Sequence, residues 1–407
     1  MKFGTVGPVG PLGKATLVSA IAFGITTLFT ACGTLNVGFL FVPTTKTTPG
    51  QIQVYEVNSE AGNLKVIPTS PFPSGGRAPI AEVASPDAKN LYVANQDDNN
   101  IVQFGIGTDG KLYPQSTVNT PGSFPLAVAI NAAGTFLYDV DTLGPVAGCS
   151  LTNPCPGLIV GYPINPDSST TAPGALGSAI VNGNGLNYFP LQLTPSDTTT
   201  ILTPTAVNVL ANGSFLYVTA YNATTSQGYV FGFSIGSGGD LSPLNGGIPM
   251  SFGTQPVALA SDSASAYLYV VDKGKNSIGT FAVQPSGALK LQSSAGTGNQ
   301  PSALALDGDN FLYVTNSTDS TVTGYSVASG TLTRTSTNAS DTQPVAITVD
   351  PRHIGYLYTV NFLGGSISGY QINKSDGTLI NTKLSPYPSN VQPTAIAGIP
   401  HGGTTAK

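Results

Sequence analysis

From about residue 37 to 400 the chain alternates Val, Ile, Tyr or Phe with Thr, Ser or Gly, in short runs broken by Gly, Pro, Asn and Asp. A period of two between turn formers predicts half-buried strands, and no sustained helical period follows residue 31. One stretch recurs. "NFLYVTNSTDSTVTGYSV" at 310–327 has counterparts in "NLYVANQDDNNIVQFGI" from Asn90, "YLYVVDKGKNSIGTFAV" from Tyr267 and "YLYTVNFLGGSISGYQI" from Tyr356. Each copy has four parts: a small-apolar run opened by Pro, the "LYV" run, a run spaced [IV]-x-x-[FY]-x-[IV], and a Gly-Xaa-Leu entry into a closing run. The third run places Ile101/Phe104, Val322/Tyr325 and Ile367/Tyr370 three apart, which alone suits a helix. Its shortness, its Thr, Val and Gly content and its flanking turns make it a strand. Gly110, Gly287 and Gly377 stand where the last hairpin needs a positive φ.

The opening prolines are Pro79, Pro125, Pro204, Pro256, Pro301 and Pro344, with a final Pro393, at intervals of 46, 79, 52, 45, 43 and 49 residues. Tyr92, Tyr138, Tyr217, Tyr269, Tyr313 and Tyr358 follow them by 12 to 14 residues. Four strands per period of this length predict β-propeller blades. Six copies are complete. A seventh assembles from the ends: "VGFLFVPT" (37–44), "GQIQVYEV" (50–57) and "GNLKVIPTS" (62–70) supply second, third and fourth strands, and "VQPTAIAGI" (391–399) the first. The expected fold is therefore all-β, a seven-bladed propeller of four-stranded antiparallel blades over 37–400, closed by a split blade that removes open sheet edges. The long second interval predicts an insertion at about 142–195, either a binding loop or a tolerated decoration. Residues 401–407 read as a tail.

Residues 1–31 read as a signal peptide, with Lys2 and Lys14 ahead of an apolar run from Ala15 to Ala31. Its end, "LFTACG", resembles the lipobox of bacterial lipoproteins, which implies lipidation at Cys32, a tether over 32–36 and an address in the cell envelope, on the periplasmic or surface side. Phe29 stands where that motif usually has Leu. An ordinary signal-peptidase site and an uncleaved anchor are the competing readings. Cys149 and Cys155, six residues apart in a Gly/Pro loop of an exported chain, predict a disulfide. A metal site would need further Cys or His nearby. The formal charge of −5, without a basic run, argues against nucleic acid.

With "LYVTN" at 312–316 and variants at 91–95 and 357–361, the chain resembles the YVTN-repeat, lactonase-like seven-bladed propellers over residues 35–400. That resemblance implies the fold, and an activity of the 6-phosphogluconolactonase type in some members and none known in others. Lactone hydrolysis needs groups that stabilise an oxyanion and activate water, and the chain has three Arg, two His and three Glu. Arg77 and Glu82 fall near the entry to the first complete blade, as catalysts or as an ion pair and strand-end charge. Arg352, His353 and His401 fall in connections on the opposite face, and Arg334 in an outer strand. Asn95, Asp141, Asp272, Asn316 and Asn361 each end a second strand, forming either a polar mouth for a cation or sugar, or caps of the following turn. Asp97, Asp98 and Asp319 nearby lack the spacing of a calcium loop. The sequence reading is a membrane-anchored, monomeric binding module without catalysis, cofactor or metal, recognising an envelope protein, glycan or small molecule. The alternative is a lactone hydrolase.

Overall fold

The computed structural model describes Met1, Gly4 and residues 36–169, 172–197 and 199–401. The signal segment, Cys32 and residues 402–407 therefore lie outside the described residues. Of two compact units, 1–35 and 36–407, the second carries the fold. It consists of seven antiparallel sheets, and the only helical turn among the described residues is a 3-10 turn at Asn245–Gly247. Blade 1 runs Pro79–Ala84, Asn90–Asn95, Asn100–Ile106 and Leu112–Asn119 from the axis outwards. Blades 2 to 6 repeat it, with inner strands Ser123–Ile130, Thr203–Val209, Pro256–Ser261, Pro301–Asp307 and Pro344–Val349. Blade 7 is the split one. Its second strand, Asn36–Thr44, pairs with Gln51–Asn58 on one side and with C-terminal Ala397–Pro400 on the other. Leu64–Val66 completes it. In blades 3, 6 and 7 the outer strand comes in two short pieces, which leaves little continuous edge for another chain to pair with.

The alternation read from the sequence becomes seven apolar clusters, one between each pair of neighbouring blades. Phe41 and Val54 of blade 7, for example, pack on Val93 and Phe104 of blade 1. The tyrosine of the second strand does more than fill space. Its ring is buried, and its hydroxyl crosses to the hairpin glycine of the next blade. Tyr138 Oη donates to Gly239 O at 2.9 Å, Tyr217 Oη to Gly287 O at 2.7 Å, Tyr313 Oη to Gly377 O at 3.0 Å and Tyr358 Oη to Gly62 O at 2.8 Å.

The extra length of blade 2 is two excursions rather than one, separated by the strand Leu158–Pro163. The first, between second and third strands, holds the Cys149–Cys155 disulfide, with Cα atoms 5.7 Å apart. The second, after Pro163, leans on blade 1, where Tyr92 Oη donates to Gly174 O at 2.7 Å and Gln103 Nε2 to Pro173 O at 3.0 Å. It thus replaces the ordinary hairpin turn as the acceptor of the tyrosine hydroxyl.

Candidate active site

The upper end of the propeller, where the inner strands begin, is built by one repeated device. Each opening proline pairs with the Asx position of its own blade: Pro79 with Asn95, Pro125 with Asp141, Pro256 with Asp272, Pro301 with Asn316 and Pro344 with Asn361. Blade 3 has Ala220 there, and the split blade Thr44 opposite Pro393. The register then shifts just past the proline, a bulge that suits a residue with no N–H to place in the ladder. The bulge turns a hydroxyl to the next blade. Thr205 Oγ1 donates to Pro256 O at 2.7 Å, Ser302 Oγ to Pro344 O at 2.7 Å and Thr394 Oγ1 to Pro79 O at 2.8 Å. The tops of neighbouring inner strands are thereby fixed to one another, and the residues just before the prolines ring the channel mouth.

The five Asx residues stand at one level, as their register shows, but all are 0% exposed. They do not line an open mouth. Their side chains hold the loop that enters their own blade: Asp141 Oδ2 accepts from Gly122 N at 2.9 Å, Asp272 Oδ1 from Gln255 N at 2.8 Å and Asn316 Oδ1 from Gly298 N at 2.9 Å. Asn361 Oδ1 accepts from Ser340 Oγ at 2.8 Å, and Asn95 donates to Asn100 Oδ1 at 2.9 Å. The following turn is held as well: Asp272 Oδ1 accepts from Gly274 N at 3.1 Å, and Asn316 and Asn361 donate across it, as Asn95 does, to Thr321 and Ser366 at 3.0 Å each. The glycines entering blades 1, 2, 4 and 5 pack so closely on these groups that a Cβ on Gly253 would lie 1.9 Å from Asp272 Oδ2.

Arg77 and Glu82 part company. Arg77 is on the upper rim, 54% exposed, with Nε 2.7 Å from Asp98 Oδ1 and Nη2 donating to Asp97 O at 2.9 Å. The hydrogen bond to Arg77 holds the Asp98 carboxyl below its ordinary value. Glu82 lies three residues down the inner strand, turned towards blade 7. Both its oxygens are closed to solvent and unbonded; the Ala397 backbone approaches without a well-formed bond. Burial pushes its pKa well up, which favours the neutral acid. The two therefore stand in different surroundings, one on the exposed rim and one closed off from solvent.

On the lower face the structure assembles what the sequence had left scattered. The Asp307 carboxylate, at the foot of blade 5, accepts from Lys374 Nζ at 2.6 Å and lies 3.5 Å from His353 Nδ1, both on blade 6. The hydrogen bond to Asp307 raises the His353 pKa, while Asp307 is lowered by His353 and Lys374 against the opposing cost of burial. Arg352 binds Val37 O at 3.1 Å through Nε and His401 O at 2.5 Å through Nη2, so it stitches the split blade to blade 6. These groups tie blades together.

Sequence reasoning missed a second buried group. Asp139 occupies the third position of the "LYV" run, where other blades have Val93, Val218, Val270 and Val314. It faces blade 1 beside Asp141 and Tyr162. Both Asp139 oxygens, Asp141 Oδ1 and Tyr162 Oη are buried without a partner. Burial, then the charge of Asp141, pushes the Asp139 pKa well up; burial brings Asp141 to about 7 against the opposing Gly122 amide. A comparison of the repeats position by position would have exposed it. Among the described residues no group of three or more His, Cys, Asp or Glu is placed to hold a metal ion. Clefts of about 350 and 240 Å³ flank the long second excursion of blade 2, away from the axis.

The family described as "Lactonase, 7-bladed beta-propeller" matches residues 44–142 and 241–349, just over half the chain. A protein named 6-phosphogluconolactonase from Photorhabdus laumondii is 39% identical over 88 residues, which cover 22% of this chain and 25% of that protein. Its namesake from Xenorhabdus nematophila is 38% identical over the same shares. The match therefore spans only a quarter of these curated relatives. Among solved structures, the periplasmic gluconolactonase PpgL of Pseudomonas aeruginosa shares the fold at a TM-score of 0.70, with 18% identity over 89% of this chain and 99% of that one. These relatives overturn the expectation of a binding module without catalysis and favour its alternative. With only Arg77 and Glu82 near a blade entry and Arg352, His353 and His401 assigned to the opposite face, the sequence argued against catalysis. A tally of residue types cannot register how the closed ring orients those few groups. The chain belongs to the seven-bladed β-propeller lactonase family.

Proposed function

We propose that this protein is an exported lactone hydrolase whose reaction site is the upper mouth of the propeller. The observation that carries the reading is membership of the lactonase family, together with curated relatives named 6-phosphogluconolactonase. Hydrolysis adds water to the ring ester carbonyl, passes through a tetrahedral oxyanion, and breaks the acyl–oxygen bond; the ring oxygen leaves with a proton as the new hydroxyl. Arg77 supplies the charge stabilisation. Asp98 fixes one edge of its guanidinium and the Asp97 carbonyl another group, which leaves the remaining N–H groups for the developing oxyanion. The exposed Asp97 carboxylate, which makes no hydrogen bond of its own among the described residues, serves as base for the attacking water.

Export and a lipid anchor at Cys32 belong to the same proposal. The apolar leader with its "TACG" end, the disulfide and the periplasmic address in the name of a protein of the same fold support it.

The test is hydrolysis of δ-gluconolactone by the purified chain, measured against the buffer rate. Arg77→Leu should lower kcat by about 10²–10³, the usual cost of losing one oxyanion donor. A wild-type rate equal to the buffer rate would refute the activity. An undiminished rate in folded Arg77→Leu protein would refute the assignment of Arg77.

A further inference from the structure

Blades 4 to 7 open on the same dipeptide: Gln255-Pro256, Gln300-Pro301, Gln343-Pro344 and Gln392-Pro393. Blades 1 to 3 carry Ala78, Phe124 and Thr203 before the proline. The backbone does not ask for Gln. At Gln300, Gln343 and Gln392 φ is +50°, +57° and +59°, a region that favours Gly, Asn and Asp. Ala78 and Phe124 adopt the same conformation, so no particular side chain is required for it.

Nor does the fold use the amide. The backbone of each Gln is held by the neighbouring turn: their carbonyls accept from Lys273, Ser317, Phe362 and Thr45 at 2.9, 2.9, 2.9 and 3.2 Å. Gln255 N–H donates to Asp272 and Gln300 N–H to Asn276, each at 2.8 Å. Yet none of the four side-chain amides hydrogen-bonds to protein among the described residues. Three are half-buried and Gln300 is exposed. The Ser302 bond to Pro344 O keeps Gln300 beside Gln343, and the Thr394 bond to Pro79 O keeps Gln392 beside the Arg77 loop.

We infer that Gln255, Gln300, Gln343 and Gln392 form an arc on the mouth that binds an unphosphorylated polyhydroxy lactone, or its hydroxy-acid product, through the sugar hydroxyls. An amide both donates and accepts, as a hydroxyl does, and carries no charge that a neutral ligand would have to desolvate. Holding the backbone in advance leaves only side-chain torsions to order on binding. The arc ends next to Arg77, so a ligand lying along it brings one end to the guanidinium. A phosphate at the other end of such a ligand would meet neutral amides rather than the cations it calls for. The inference rests on the lactonase reading for what happens to the ligand, but binding is separable from turnover.

The experiment uses the full chain, calorimetric titration with D-gluconate and with 6-phosphogluconate, and δ-gluconolactone kinetics. In the double variant Gln300→Leu/Gln343→Leu, gluconate binding should weaken about tenfold or more, the effect of losing one or two hydrogen bonds. KM should rise with kcat little changed, and the melting temperature should hold, since these side chains make no hydrogen bond to protein among the described residues. Unchanged gluconate affinity and KM in the double variant, or tighter wild-type binding of 6-phosphogluconate than of gluconate, would overturn the arc. Gluconate binding that the variant loses, without hydrolysis by the wild type, would leave the arc standing and remove the hydrolase reading.

Discussion

Tyr138 shows how a residue that reads as strand filler becomes a joint. Its ring lies in the cluster between blades 2 and 3, and its hydroxyl ends on Gly239 O of the next blade at 2.9 Å. Tyr138→Phe keeps the ring and strands that carbonyl. Stability should fall by about 0.5–1.5 kcal/mol, the net worth of one such hydrogen bond, read as a lower urea midpoint with hydrolysis unchanged. Asp139 is the opposite case, a charged residue where the repeat wants Val. Burial raises the pKa of both Asp139 and Asp141 in the folded protein. A raised folded-state pKa means stability is fullest below the unfolded carboxyl value and is lost as pH climbs through the folded one, here about 7 for Asp141. Asp139→Val should therefore stabilise the protein by about 1–3 kcal/mol at pH 8, the usual cost of a buried unbonded polar group, and by less at pH 4. Equal urea midpoints for variant and wild type at pH 8 would show that Asp139 is not buried unbonded.

At the scale of elements, the period of two and the turn residues placed nearly every strand, because a strand's exposure pattern is written in its own sequence. The outer strands were least legible: Leu64–Val66 and Leu379–Asn381 are three residues long and carry little pattern. The split blade was legible from counting alone, since three strands at one end and one at the other complete a copy. Deleting residues 391–407 removes Ala397–Pro400, the partner of Asn36–Thr44, and with it the Thr394 bond to blade 1. The inner edge of blade 7 is then open to other chains, and cooperative melting should give way to aggregation. A truncated protein that melts like the full chain would place the closure elsewhere.

For the whole molecule the ring sets what the few charged groups can do. Lys374, His353 and Asp307 meet only because blades 5 and 6 are neighbours. Gly33 to Asn36 span about 13 Å at full extension, so a lipid on Cys32 would hold the propeller against its membrane. Cys32→Ala should move the protein from the membrane to the soluble fraction, as fractionation and blotting would show; unchanged membrane association would refute the anchor. By itself the sequence determined the strand pattern, the number of blades, the joined ends and the pairing of Cys149 with Cys155, because each follows from local periodicity, spacing or a covalent partner close in the chain. Only the tertiary structure decided that the Asx ring is buried, that Arg77 and Glu82 face different surroundings, that Asp139 and Tyr162 lie unbonded between two blades, and that four glutamines share one rim. Burial and convergence depend on which residues of other blades come near, and those neighbours are set by closing the ring.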